Sequence, residues 1–471
     1  MRDDDRKEKL ATWAGAVMAG FLVMVFFAWA ALQALLQPAT VGAPGRVALN
    51  LAMLPSKVAE AWDEAKGIVT GQEATRFLSV PRPDVDMAGF RPVRGPEGTA
   101  FSELMVRGDA HGADRGWRLL GGAMQADGRA GNMAVLLDPD LRVARVWDLH
   151  EDDVEVSNKA RESRRVVHGL QILPDASIVF GFDHGAGLQR RDACNRPVWV
   201  TPGTYHHSVM VQPDQETLWA LRDWGFADEG EGANAPPGTG PVELDLATGA
   251  VRREISLAAI MAANPRLGLF ELARKDENAV ETNATETIGQ WLGDPVHFND
   301  VEPLPAEMAD VFDGFAAGDL LISARDLNTV FVVDPETLKV KWHHTGGMLR
   351  QHDPDWRPDG TISVFDNAMG LGTSRIITID PETHATQITY DGEENGFYTR
   401  IRGKHMRTAR GDLAIVSPQQ GRAFELGPTG APVLEFINLK PGVADKSFVL
   451  TEYLWLPETA LDLEDVTCTD S

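Results

Sequence analysis

Residues 319–342 read Asp-Leu-Leu-Ile-Ser-Ala-Arg-Asp-Leu-Asn-Thr-Val-Phe-Val-Val-Asp-Pro-Glu-Thr-Leu-Lys-Val-Lys-Trp. Two short runs rich in aliphatic and β-branched residues, from Leu320 and from Thr329, are followed by a turn at Asp334–Thr337 and a third, mixed run ending at Trp342. Short runs of this composition between turn residues read as strands. The same Asp-Pro-Glu-Thr turn returns at 380–383 after Arg375–Ile379, and Asp-Leu-Ala-Thr-Gly stands at 245–249. Comparable strand-like runs begin at Asn132, Ala144, Ser177, Thr217, Thr361, Asp412 and Arg422. Four antiparallel strands recurring at roughly 40–55 residues are the mark of a β-propeller. Units start near 118, 166, 204, 295, 350 and 404, which makes six blades. A β-sandwich pair or a β-helix would not need the repeated turn. The long gap between the units at 204 and 295 holds a Gly/Glu/Pro-rich insert, Ala227–Pro241, and a helical one, Leu257–Leu292.

Five of the twelve histidines occupy one recurring address, the opening of a unit's first strand: His168, His207, His297, His352 and His405. In a propeller the first strand of each blade lines the central channel, so five imidazoles are expected to point into one funnel. Alternate residues of a strand share a face, which turns His297 and Asn299 the same way. Arg325 follows one strand later, and arginine suits planar oxyanions because it donates paired hydrogen bonds and stays charged. His207, His297, Asn299, Arg325 and His352 would form a donor-rich cationic pocket fit to bind and transfer an anionic group. No metal or cofactor is needed for that chemistry.

The chain around this pocket is acidic, with a formal charge of −25, which argues against nucleic acid as a partner. Its 43% hydrophobic and 24% charged residues are ordinary for a globular protein. Residues 10–37 carry no charge, and Ala14–Leu36 is almost wholly apolar, long enough to span the roughly 30 Å hydrocarbon core as a helix. Arg2, Arg6, Lys7 and Lys9 precede it and only Arg46 follows closely, so residues 1–9 are expected in the cytoplasm and the large domain in the periplasm, on a single-pass inner-membrane anchor. A cleaved signal peptide is the competing reading, but the apolar run is long for one. Residues 38–115 read as a linker, a short amphipathic helix at 50–70 and an irregular β segment; 116–460 as the propeller; 461–471 as an acidic tail. Cys194 and Cys468 lie far apart, and two free thiols are the expectation. Oligomeric state is not legible.

The succession His297-Phe-Asn299-Asp-Val, Leu-Leu-Ile-Ser-Ala-Arg325, the turn to Trp342, Gly346-Gly347, Gln351-His352, Ser363-Val-Phe365-Asp366-Asn367 and Ser374-Arg375 resembles the bacterial arylsulfate sulfotransferases. The resemblance is strongest over 295–376, weaker over 166–250 and 404–438, and does not extend to the anchor. It implies a six-bladed periplasmic propeller that moves a sulfuryl group from an aryl sulfate ester to a phenol, without a nucleotide donor, through a sulfated histidine. Carried over by position, it implies His352 as nucleophile; His297, Asn299 and Arg325 holding the sulfuryl oxygens; and His207 acting as acid or base on the phenolic oxygen. His206 is the fallback for that last role. His207 is preferred because it stands seven residues before Asp214, as His352 does before Asp359. His168 and His405 are expected as channel lining in contact with substrate. The stretch 303–317 lengthens the path from His297 to Arg325.

Other readings are a non-catalytic propeller that binds a protein or polysaccharide through its loop-bearing face, a metal-dependent lactonase, and a quinoprotein. The last two call for acidic ligands or a cofactor cage rather than a histidine-rich channel. The remaining histidines, 111, 150, 184, 343, 344 and 384, sit beside polar turns and read as surface. Trp199, Trp219 and Trp342 fit packing between blades, Trp356 is a candidate for the pocket mouth, and Asp366 for support of an imidazole.

Overall fold

The structure is a computed structural model, and it describes residues 79–95, 100–109, 112–126, 129–150, 166–183, 187–225, 236, 238–273, 294–461, 463, 466 and 468. The expected membrane helix at 10–37, the linker, the helix at 50–70, His111 and His184 lie outside these residues. No helix among the described residues is long and apolar enough to cross a membrane.

The architecture is all-β, a propeller of six blades. Blade 2 is Val167–Ile172, Ile178–Phe182, Leu188–Arg191 and Pro197–Thr201. Blade 3 is Thr204–Val211, Thr217–Gly225, Gly238–Asp245 and Val251–Glu254. Blade 4 is Phe298–Pro303, Leu320–Ala324, Thr329–Val333 and Val340–Thr345. Blade 5 is His352–Trp356, Ile362–Asp366, Arg375–Ile379 and Thr386–Asp391. Blade 6, Lys404–Arg407, Leu413–Ser417, Arg422–Leu426 and Pro432–Asn438, is widened by Ala100–Gly108 and Arg91–Arg94 from the expected lead-in. Blade 1 closes the ring: its first strand is the C-terminal Leu450–Pro457, paired with Gly116–Ala126, then Arg129–Leu137 and Val143–Leu149. The first strands of successive blades touch in a closed circle.

Among the described residues the core is built mainly of six apolar seams, one between each pair of neighbouring blades, with a smaller cluster of Ala123, Val166, Phe448 and Val449. Middle strands are therefore covered on both faces, and Leu320–Ala324, Thr329–Val333, Leu413–Ser417 and Arg422–Leu426 are buried throughout. That is why the first three read as mainly apolar runs rather than as alternation, while Arg422–Leu426 also buries Arg422 and Glu425 in ion pairs with Glu435 and Arg118. The expected packing tryptophans sit in or against the seams, with the indole N–H of Trp199 on Leu246 O and that of Trp342 on Pro381 O. Trp356 is a correction: it is buried between blades 4 and 5 against Phe312 and Phe315, with its indole N–H on Glu302 O, and not at a pocket mouth. At the closing seam, Arg118 of blade 1 meets Glu425 of blade 6 at 2.8 Å, both fully buried, and Tyr453 donates to the same carboxylate.

The repeated turn has a local cause. Asp334 Oδ1 accepts the backbone N–H of Glu336 and Thr337, and Asp380 Oδ1 those of Glu382 and Thr383. The residue after each Asp-Pro-Glu-Thr, Leu338 or His384, takes φ 57°, and Gly249 takes φ 70° at the matching place. Each returns its N–H to the turn-opening Asp carbonyl at 2.8 Å.

Two expectations are revised. The insert assigned to Ala227–Pro241 ends earlier, because the third strand of blade 3 starts at Gly238; the helical insert is observed at Leu257–Ala263 and Phe270–Ala273. Cys194 and Cys468 are a disulfide, not free thiols. The described tail residues return to blade 2, where Cys468 Sγ lies near Ala193 O, so a separation of 274 residues closes to a Cα–Cα distance of 5.4 Å.

Candidate active site

Five of the six first strands are irregular where they open. Pairing slips between Val167 and Leu170, His206 and Val209, Phe298 and Asp300, His352 and Pro354, and Leu450 and Glu452. Left-handed residues sit at or beside these slips, Gly169, His207, His297 and Asp353, and Arg402-Gly403 takes that role before blade 6. An extra residue in one strand re-aims its side chain. Repeated around an axis, this device explains why the histidines share a phase and meet.

Four of the five channel histidines converge. The His207 ring is the hub, with centroids 4.5 Å from His168, 5.0 Å from His297 and 6.0 Å from His352. His206 is 4.9 Å from His207. His405 does not join them. Its Nδ1 lies 2.9 Å from Asp353 Oδ2 and its Nε2 2.9 Å from Ser363 Oγ. The blade-opening address in blade 6 belongs to Arg402, with φ 62°, and His405 falls one step further along the channel.

His352 is held in one tautomer. Asn367 Nδ2 donates to Thr399 O and Arg402 O at 2.9 and 2.6 Å, which orients its amide. Asn367 Oδ1 therefore accepts from His352 Nδ1, 2.7 Å away. The His352 Nε2 lone pair is left to receive the backbone N–H of Arg402 at 3.2 Å. Burial, then the Arg325 guanidinium, hold the His352 pKa well below its ordinary 6.5. Burial disfavours a charged imidazolium and neighbouring cations disfavour it further, so the ring is neutral at pH 7.

Arg325 reaches the pocket despite the long stretch before it. Residues 306–311 form a 3-10 helix off to the side, while the N–H groups of Arg325 and Asp326 bond His297 O and Val296 O, both at 3.0 Å. Asp326 takes the Arg325 Nε at 2.9 Å and also pairs with Arg350. Asn299 Nδ2 donates to Gln351 O at 2.7 Å, tying blade 4 to the residue before His352, and its buried Oδ1 has no protein partner. His297 Nδ1 sits 2.5 Å from Asp294 Oδ2, and its buried Nε2 is likewise unpartnered.

Asp183 organises the other side. Its Oδ1 is 2.9 Å from His168 Nδ1 and its Oδ2 is 2.6–2.7 Å from the Arg402 guanidinium. Although burial opposes ionisation, His168 and Arg402 hold the Asp183 carboxyl well below the usual range. Burial keeps His168 and His207 neutral by lowering their pKa values. His206 is the exception: burial is outweighed by Asp223, with Asp294 and Asp183, and its pKa is raised.

Sequence reasoning missed Arg402, Asp183 and Asn367. The candidate Asp366 is instead paired with Arg375 and caps the N–H groups of Leu349 and Ala368; its neighbour Asn367 carries the imidazole. The basic run around Arg402-Gly403-Lys404 was a usable signal for the first of these.

Further along the same strands lies a carboxylate tier of Asp300, Glu302, Asp353, Asp355 and Glu452 around Lys404 and His405. Burial pushes Asp300, Glu302 and Asp355 up, and Glu452 up to about 8, while Lys404 is raised by Asp353 and Glu452 against its own burial. Among the described residues, two groups bring cation-ligand atoms within 4.8 Å: Asp353, Asp355 and His405, and His168, Asp183 and His207. In the second, Asp183 is already committed to His168 and Arg402, as an ion-pair network would have it.

The arylsulfotransferase (ASST) family matches residues 168–439, more than half of the chain and all the residues of the histidine pocket. The chain belongs to the arylsulfotransferase family. Membership brings the enzyme class, sulfuryl transfer between aryl sulfates and phenols without a nucleotide sulfate donor. No curated protein matches the chain significantly. Solved structures with a similar fold include a protein of unknown function from Bacteroides caccae (11% identity, 73% of this chain and 100% of that one, TM-score 0.43). TolB from Acinetobacter baumannii (12%, 74% and 68%, TM-score 0.37) and virginiamycin B lyase from Staphylococcus aureus (8%, 62% and 84%, TM-score 0.34) are others. At these scores they carry no functional argument.

Proposed function

We propose that this arylsulfotransferase passes the sulfuryl group through His352 Nε2. The observation that carries the reading is the oriented, neutral His352: one nitrogen is bound to Asn367, and the other carries the lone pair, which accepts the Arg402 N–H through a long 3.2 Å bond at rest and must exchange that bond for sulfur. A neutral imidazole is a competent nucleophile, and covalent capture divides one transfer into two easier steps. Attack by Nε2 on sulfur breaks the S–O bond, and the leaving phenolate takes a proton from His207; His352 Nδ1–H keeps its bond to Asn367 Oδ1, and the sulfated ring then passes its group to an acceptor phenol whose proton returns to His207. Arg325 and the unpartnered His297 Nε2 serve the sulfuryl oxygens, where charge must be held in the transition state, whereas Asn299 has its amide donor on Gln351 O. In this reading His207 serves the phenolic oxygen, which its ring, 6.0 Å from that of His352 between centroids, supports.

The same reading puts the propeller in the periplasm on an N-terminal anchor. The uncharged run 10–37 with its basic leading flank supports this. So does the disulfide, since such bonds persist in oxidising compartments.

The test is incubation with a chromogenic aryl sulfate without acceptor, followed by peptide mass analysis. The expected result is one sulfo group on the peptide holding His352, discharged when a phenol is added. An adduct on another residue, or donor cleavage that survives His352→Ala, would sink the assignment.

A further inference from the structure

His206 and His207 are neighbours in sequence, and in a regular strand they would face opposite ways. The left-handed His207, φ 60°, and the pairing slip between His206 and Val209 bring their rings together instead. Their Nδ1 atoms are 2.8 Å apart, so one of the two must carry a hydrogen and the other a lone pair. Behind them, His206 Nε2 lies 3.1 Å from Asp223 Oδ1, on the next strand of blade 3, at ion-pair distance but without hydrogen-bond alignment. Asp223, His206 and His207 therefore form a line from a part-buried carboxylate to the pocket.

Resting on the sulfuryl-transfer reading, we infer that His206 is a proton store acting through His207, loaded in one half-reaction and emptied in the other. The store requires His206 to rest as the imidazolium, ion-paired with Asp223 through its Nε2 side and donating Nδ1–H to His207 Nδ1. His207 is neutral, with its hydrogen on Nε2 toward the pocket. As His352 Nε2 bonds to sulfur, the S–O electron pair leaves with the phenolic oxygen, which takes the His207 Nε2 proton. His207 Nδ1 takes the proton of His206 Nδ1 in the same movement. The anionic donor and the cationic pair become a free phenol, a neutral pair and a sulfated His352, so charge and protons balance. His207 now has a bare Nε2, which is the base the second half-reaction needs. It accepts the acceptor's proton and returns its Nδ1 proton to His206. The opposed environments suit this division, since His206 is held toward the charged form and His207 toward the neutral one. The groups facing His206 are Asp223, Asp294, Asp183 and His207; those facing His207 are His168, Asp183, His206 and His297.

The measurement is kcat/KM for the donor across aryl sulfates whose leaving phenolates range from weakly basic (4-nitrophenyl) to strongly basic (4-methylphenyl). For His206→Gln the loss is expected to grow with leaving-group basicity, from about tenfold to on the order of 10³-fold, as loss of general-acid assistance does. An equal loss across the series would mark a merely structural role and overturn the store. Asp223→Asn is the second variant: without that carboxylate His206 loses its proton more readily, so the alkaline limb of the donor kcat/KM profile moves to lower pH. A limb that stays in place overturns the proposal as well. Wild-type protein that cleaves no aryl sulfate would overturn the sulfuryl-transfer reading itself, whereas normal wild-type turnover with a flat His206→Gln series removes the store alone.

Discussion

His352 and Asn367 meet across the first two strands of blade 5, Nδ1 to Oδ1 at 2.7 Å, and the amide is locked by two backbone carbonyls. An amide oxygen fixes the imidazole tautomer without adding a negative charge, whereas a carboxylate there would favour the imidazolium. Asn367→Asp is thus expected to raise the His352 pKa from its depressed position. The protonated ring is not a nucleophile, so the acid limb of the donor kcat/KM profile should move to higher pH. The alkaline rate should be less affected. A profile that matches wild type would show that Asn367 does not set the state of His352.

Arg325→Met tests the charge facing the sulfuryl group. Removing one preorganised donor from a buried transition-state site typically lowers kcat by 10²–10³-fold, and about that loss is expected. A second effect follows from its position. Arg325 is the first charge opposing protonation of His352, so the variant's acid limb should also rise. Arg325→Lys restores the charge but not the paired donors, and should recover the limb more fully than the rate. Loss of rate with an unmoved limb would place the guanidinium away from His352.

Much of this was open to sequence reasoning because a propeller repeats its errors of register. The turn at Asp334 and Asp380 uses the same backbone bonds, so its residues recur; the converging histidines recur because the strand mouths of blades 2 to 5 are bulged. What did not repeat was not legible. Arg402 occupies blade 6's strand mouth without being a histidine, and its partner Asp183 is 219 residues away. His405 matched the pattern of residues but sits past the left-handed pair Arg402-Gly403, which moves it to the carboxylate tier. Asp366 and Asn367 differ only in which of two adjacent side chains meets the ring, and composition does not decide that. The disulfide likewise depends on where the tail runs after the ring has closed.

That disulfide gives a stability prediction. It links blade 2 to the chain just beyond the closing strand Leu450–Pro457, so it ties the segment that follows ring closure back to the neighbouring blade. Loss of a bond closing so long a loop is expected to cost about 2–5 kcal/mol. Cys194→Ser and Cys468→Ser should lower the urea midpoint to the same extent, and the double variant no further. The unfolded wild-type protein should show no free thiol before reduction. Midpoints that differ between the single variants would mean that the side chains matter for reasons other than the bond.

Glu452 ties the carboxylate tier to pH. It is fully buried, with Oε1 accepting the Gly169 N–H at 2.7 Å and Oε2 unpartnered, and burial pushes its pKa up to about 8 from 4.5. Between these two values the folded chain holds a proton that the unfolded chain has released, so this group's contribution to stability falls as pH rises through the window. The histidines held neutral, His168, His207 and His352, act in the opposite direction, but only below about pH 6.5, where unfolded histidine begins to take up a proton. Above that, the raised carboxyls govern. Wild-type Tm should therefore decline from pH 6.5 to 8, and Glu452→Gln, which keeps the oxygen for Gly169 but cannot ionise, should decline less. The two proteins should be closest at the acid end of that range and furthest apart at pH 8. Parallel curves would mean that Glu452 is ionised in the fold throughout, with Lys404 neutralising it.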